Sequence, residues 1–195
     1  ISKSSNLSAR VCVTGQHREM LDQVLSCFDI DPHIDLNMMR PGQDLTDITS
    51  NALLNLRDVF NNEQPVCVIV QGDTTTAMAT ALAAFYARLP VVHIEAGLRT
   101  GDLHAPWPEE LNRRIVTLTG WLHFCPTDAA AANLLAEGVP KQRIQVTGNT
   151  VIDALLEVSQ RIERDADSQS HLDAQFNFLR PERHTILVTG HRREN

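Results

Sequence analysis

Short apolar runs alternate with longer stretches of helical period along the chain. The runs at 10–14, 33–38, 66–71, 91–95, 122–125, 144–147 and 185–189 are almost continuously apolar. That is the pattern of strands covered on both faces by helices in a parallel sheet. Helical patterns fill the intervals, at 17–28, 45–61, 75–88, 108–119, 129–137 and 150–163. Pro108 suits a first helical position, and Glu109 and Glu110 follow it where the helix dipole favours acids. Gly138 and Pro140 close the helix ending at Glu137, and Pro65 and Pro90 each stand just ahead of a strand. This repetition predicts an α/β fold, a Rossmann-like parallel sheet with helices on both faces. Over 164–183 the apolar period weakens, so 1–163 reads as one domain, 164–183 as a linker and 184–195 as the start of a second domain.

Composition narrows the classes. Of 195 residues, 43% are hydrophobic, which is ordinary for a globular chain. Seventeen basic residues against 24 acidic give a net charge of −7, and only 5% are aromatic. Such a chain lacks the basic footprint and stacking platforms of a nucleic-acid binder. The most apolar stretch, 77–87, is well short of the ~18 residues a membrane span needs, and the polar opening ISKSSNLSAR is no signal peptide. Cys12, Cys27, Cys67 and Cys125 are scattered without a CxxC pair, which favours reduced thiols and a cytoplasmic location. The eight histidines show no metal-ligand spacing. Neither GxGxxG, Walker A nor GxSxG occurs, so NAD and a serine hydrolase are unsupported and no cofactor is expected.

In an open parallel sheet, ligands bind beyond the carboxyl ends of the strands. Four strand ends are polar in a patterned way. In VCVIVQGDTTTAMAT, Gly72 and Asp73 leave a strand and Thr74, Thr75 and Thr76 open a helix. Free backbone N–H groups there make an anion site, or Asp73 is simply the N-cap. In VVHIEAGLRTGD, Glu95 ends an apolar strand, where it is either a general acid or base or a carboxylate paired with Arg99. Arg99, Thr100 and Asp102 follow on a glycine-punctuated loop suited to hydroxyl or phosphate contacts, while His93 reads as a core histidine. In HAPWPEELNRRIV, Glu109 and Glu110 are helix-dipole residues or a third carboxylate near the same edge, with Arg113 at i+4 from Glu109. VTGNTVIDAL offers Asn149 or Thr150 as a cap or anion contact. LVTGHRREN places His191, Arg192 and Arg193 after the last strand, as proton donor and phosphate contacts or as a solvated charge run.

Together QHREMLDQVL, QGDTTTAMATALAAFY, HIEAGLRTGDLHAPWPEELNRR, VTGNTVIDAL and VTGHRREN closely resemble the non-hydrolysing UDP-N-acetylglucosamine 2-epimerases, in that family's order. The resemblance implies one half of a GT-B-like two-domain enzyme with UDP-sugar bound in the cleft. It implies interconversion of UDP-GlcNAc and UDP-ManNAc without NAD or an obligatory metal, in a cytoplasmic homodimer that feeds bacterial surface polysaccharide. Carried over by position, the catalytic acids fall on Asp73, Glu95 and Glu109 and the catalytic histidine on His191. Thr74, Thr75, Arg99, Asp102, Arg113, Asn149 and Arg192 would contact substrate. Gln16, Met20 and Gln23 match a regulatory UDP-GlcNAc site. The family's opening strand with its Gly-Thr-Arg-Pro-Glu loop has no counterpart here, Gln71 stands where relatives often have histidine, and most of the second domain is not represented. The expectation is an inactive fragment that self-associates. A hydrolysing relative releasing ManNAc and UDP, and a non-catalytic nucleotide-sugar-binding or interaction domain, are the competing readings.

Overall fold

A computed structural model describes residues 4–15, 18–180 and 182–188. The chain divides into two compact units, the first ending at Thr150 and the second beginning at Val151. In the first unit, strands and helices alternate: β1 (Cys12–Val13), α1 (Arg18–Cys27), β2 (Ile34–Asp35), α2 (Leu45–Glu63), β3 (Val68–Gln71), α3 (Thr75–Tyr86), β4 (Val91–Ile94), α4 (Glu109–Thr119), β5 (Leu122–Cys125), α5 (Asp128–Ala136) and β6 (Ile144–Val146). Strands β3, β4, β5 and β6 form one parallel sheet in that order, and β1 and β2 form a separate parallel pair. The predicted strands at 10–14 and 33–38 shrink to two residues each, and among the described residues each ladders only with the other. This is an α/β architecture with parallel sheets flanked by helices.

Local chemistry explains most of the boundaries. Asp44 and Asp47 cap α2 reciprocally, each side chain accepting from the other's backbone N–H. Thr74 caps α3 through Ala77 N at 3.2 Å, and Thr127 caps α5 through Ala130 N at 3.1 Å. The expectation that Asp73 caps α3 is therefore corrected: the hydroxyl one residue on does so. Helix α3 buries Ala77, Ala79, Ala81, Ala83 and Ala84 against Leu56 and Phe60 of α2 and Val116 of α4. Alanine at these positions lets three helices approach closely at little cost in side-chain entropy. A smaller core gathers Ala96, Cys125, Ala130, Ala131 and Leu134 under α5.

The second unit carries most of α6 (Thr150–Arg164) and all of α7 (Ala166–Gln175). The stretch read as a linker is thus partly helical: Asp165 caps α7 by accepting from Asp167 N at 3.2 Å. The strand expected at 185–189 is not present at 185–188, where Ile186, Leu187 and Val188 are each at least 84% exposed. A strand is stabilised by its ladder, and the described residues offer this run no neighbour.

Candidate active site

Several polar residues of the first unit converge at the carboxyl ends of β3 and β4. These strands pair in register from Val68↔Val91 to Gln71↔Ile94, so the next residues, Gly72 and Glu95, emerge side by side. Gly72 takes a left-handed backbone (φ 71), donates to Ile94 O at 3.0 Å, and a Cβ built on it would meet Glu95 Oε2 at 3.6 Å. Glu95 itself has φ 66, a conformation that costs an L residue energy and persists only where the surroundings impose it. Burial pushes the Glu95 carboxyl above its ordinary range. The negative charge of Asp73 adds to this rise and Arg113 opposes it.

Asp73 is held by two residues of α4. Arg113 Nε reaches its Oδ2 at 2.8 Å, and Arg113 Nη2 lies 2.8 Å from the same oxygen. Asn112 Nδ2 donates to the Asp73 carbonyl at 2.8 Å. Arg113 also donates to Glu110 Oε2 at 3.1 Å, so one guanidinium joins two carboxylates. Thr74 and Thr76 hydroxyls lie 3.0 Å apart at the start of α3, and Thr75 is buried beside them.

Glu109 opens α4, and its Oε2 is buried with no hydrogen-bond partner in the structure. Glu110, one residue on, is fully buried and fully engaged. It accepts from Thr100 N, Gly101 N, Arg113 Nη1 and Arg114 Nε at 3.1–3.4 Å. Burial alone would raise its carboxyl, but these donors outweigh burial and hold it below its ordinary range. Arg113 therefore pairs with Asp73 and Glu110, not with Glu109 as the i+4 spacing suggested.

Arg99 is drawn elsewhere. Its Nε and Nη2 grip both Glu137 oxygens at 2.7 and 2.8 Å, Nη2 also reaches Thr117 and Nη1 reaches the Leu98 carbonyl. It does not satisfy Glu95, and its bonds tie the post-β4 loop to α4 and α5. Asp102 is exposed and closes its own turn by accepting from His104 N at 2.9 Å. Asn149 is half-buried after β6, next to Thr150, whose hydroxyl accepts from Gln71 Nε2 at 3.3 Å. Met20 and Gln23 are exposed on α1. Gln16, His191 and Arg192 lie outside the described residues. Among the described residues no three His, Cys, Asp or Glu side chains gather as a metal-holding group, and no helix is long and apolar enough to cross a membrane.

Asn112 escaped notice, and Glu110 was read only as a helix-dipole residue or edge carboxylate, because acids and amides near a helix start ordinarily face water. The usable signal was Glu110 at i,i+3 from Arg113 and i,i+4 from Arg114.

Residues 1–195 match the family model described as UDP-N-acetylglucosamine 2-epimerase. The chain belongs to that family. It is 55% identical over 198 residues to the UDP-N-acetylglucosamine 2-epimerase of Salmonella typhimurium, with all of this chain and 52% of that protein covered. The Escherichia coli protein of the same name is 54% identical, with the same coverage. The crystal structure of the Neisseria meningitidis UDP-GlcNAc 2-epimerase bound to UDP-GlcNAc matches with a TM-score of 0.94 and 49% identity, over all of this chain and 52% of that one. The Methanocaldococcus jannaschii enzyme in complex with UDP-GlcNAc and UDP matches at 0.80 and 32% identity, over 87% of this chain and 47% of that one. The chain thus spans about half the length of the relatives it matches, and it holds the Asp73–Glu95–Arg113 cluster within that half.

Proposed function

We propose that the protein interconverts UDP-GlcNAc and UDP-ManNAc without hydrolysis, by elimination and re-addition of UDP with proton exchange at C2. The observation that carries this reading is the grouping of two strand-end carboxylates, Asp73 bonded to Arg113 and Glu95 close enough to feel both charges, with the unpartnered Glu109 oxygen at the head of α4. Removing the C2 proton while UDP leaves C1 gives 2-acetamidoglucal and UDP. Returning the proton to the other face as UDP adds back completes the inversion. That chemistry needs carboxylates able to pass between protonated and ionised forms. Glu95 is suited to it, because burial and Asp73 raise its carboxyl toward the working pH. The N-terminus of α3, with the Thr74 and Thr75 backbone beside it, would receive the departing diphosphate. His191 and Arg192 would complete the site as proton donor and phosphate contact, Asn149 as a substrate contact, and Gln16, Met20 and Gln23 as a regulatory subsite.

The working form would be a cytoplasmic homodimer supplying ManNAc units to a bacterial surface polysaccharide. Support for the dimer comes from Phe85, Tyr86, Leu118 and Trp121, each at least 54% exposed around one concave face at the far ends of α3 and α4.

The test is incubation of the natural full-length protein with UDP-GlcNAc in D₂O. Deuterium should appear at C2 of both nucleotide sugars, with UDP-ManNAc as product. Free ManNAc plus UDP would identify a hydrolysing relative instead. No exchange and no product would overturn the reading.

A further inference from the structure

Two buried polar side chains beneath the site have no catalytic assignment, yet both point at the same short segment. His93 on β4 is 1% exposed and Asn112 on α4 is 2% exposed. Burying an imidazole or an amide is costly unless its polar atoms find partners. The bonds they make go to consecutive carbonyls: His93 Nε2 lies 2.9 Å from Gly72 O, and Asn112 Nδ2 lies 2.8 Å from Asp73 O. A carbonyl only accepts, so His93 carries its proton on Nε2, and its Nδ1 is left buried without a partner. An apolar residue of similar volume would fill the same space with no orphaned nitrogen. What the histidine adds is the single donor to Gly72.

That donor has a specific consequence. Gly72 is left-handed at φ 71, and the orientation of the peptide after it sets where the Asp73 side chain leaves the strand end. A tether from β4 and another from α4 fix two successive peptides from two directions, while Arg113 holds the carboxylate itself. We propose that His93 and Asn112 are positioning residues, a clamp on the Gly72 and Asp73 carbonyls that aims the Asp73 carboxylate in the epimerisation site. The inference rests on the functional reading of Asp73 given above. His123 supplies an internal control. It sits opposite His93 in the β4–β5 register and also has an unpartnered buried Nδ1, but its hydrogen bond goes to Gly120, at the other end of the sheet.

The experiment compares His93→Leu, His93→Gln, Asn112→Leu and His123→Leu in the natural full-length protein. It reads kcat and KM for UDP-GlcNAc per folded molecule, and the melting temperature. His93→Leu and Asn112→Leu should each lower kcat by about tenfold to a hundredfold with KM within about threefold, the range expected when a reacting group is misplaced by an ångström or less. Their double variant should lose less than the product of the two, because both act on one segment. Glutamine places an N–H near the Nε2 position, so His93→Gln should recover most of the rate. His123→Leu should change the melting temperature and leave kcat alone. A folded His93→Leu variant with unchanged kcat would overturn the clamp, as would His93→Gln failing as badly as His93→Leu. An inactive wild-type protein would overturn the epimerase reading and the positioning role with it. The hydrogen bond is checked separately on the same protein by the ¹H–¹⁵N correlation pattern of its histidine rings at neutral pH. An Nδ1–H tautomer at His93 would overturn the clamp whatever the activity.

Discussion

Glu95 combines a left-handed backbone, partial burial and a neighbouring acid, three costs at one residue. Such strain persists where surrounding structure imposes it and is common at functional sites. Replacing it with glutamine keeps the shape and removes the titratable group. Glu95→Gln should lower kcat by about a hundredfold or more and abolish C2 deuterium exchange, while the urea midpoint stays the same or rises. Arg113 is a different kind of residue. Its side chain is 14% exposed and faces Asp73 on one side and the fully buried Glu110 on the other. Arg113→Leu leaves a buried carboxylate short of a cation and should cost about 3 kcal/mol in urea unfolding. Arg113→Lys should recover only part of that loss, because a single ammonium cannot bridge both carboxylates as the guanidinium fork does.

At the scale of elements, the site is two strand ends braced by α3 and α4, and the bracing depends on close approach. Gly97 shows how close. It has φ 86, and a Cβ there would lie 2.2 Å from the Ala130 carbonyl oxygen of α5. Gly97→Ala should therefore destabilise the first unit by about 3 kcal/mol or more, seen as a lower melting temperature, through a backbone collision that no side-chain rotation relieves. Leu56→Ala, at a 3% exposed position of α2, should cost about 2–5 kcal/mol by leaving a cavity against the α3 alanines, and should leave the site's geometry intact. The helix positions were legible because the apolar period, proline stops and hydroxyl caps are local signals. The 185–188 run shows where such signals stop, since Ile186, Leu187 and Val188 have a strand's composition and no ladder.

For the whole molecule, acid is the expected weakness. Burial, with the Gly72 hydrogen bond opposing it, pushes His93 down to about 4. An unfolded histidine titrates near 6.5, so the unfolded chain takes up its proton first as pH falls. The stability from a neutral His93 is therefore complete above about pH 6.5 and lost on acidification toward pH 4, by roughly 3 kcal/mol at most. Glu110 and Glu137, both held low, act in the same direction, their contribution being lost as pH falls through their folded values. Glu95, held high, acts oppositely. Urea unfolding at pH 7, 5.5 and 4 should show this decline, and His93→Gln should flatten it. The exposed Phe85–Tyr86–Leu118–Trp121 face bears on assembly: Leu118→Asp should shift sedimentation toward monomer if this is the face between copies.

Taken alone, the amino-acid order determined the alternation of strands and helices and the parallel arrangement, and it singled out the strand ends as candidate sites. The first two are set by local periodicity, and the strand ends stand out as candidates by the rule that ligands meet the carboxyl edge of a parallel sheet. It also brought out Asp73, Glu95 and Glu109 as candidate acids. Only the tertiary structure decided the partners. Arg99 went to Glu137 and Arg113 to Asp73 and Glu110, because pairing follows distance across elements and not spacing along one. The same folding turned His93 and Asn112 toward the Gly72–Asp73 carbonyls, a contact between residues 21 and 39 positions apart. No local pattern encodes such a contact, since it exists only once β3, β4 and α4 are packed together.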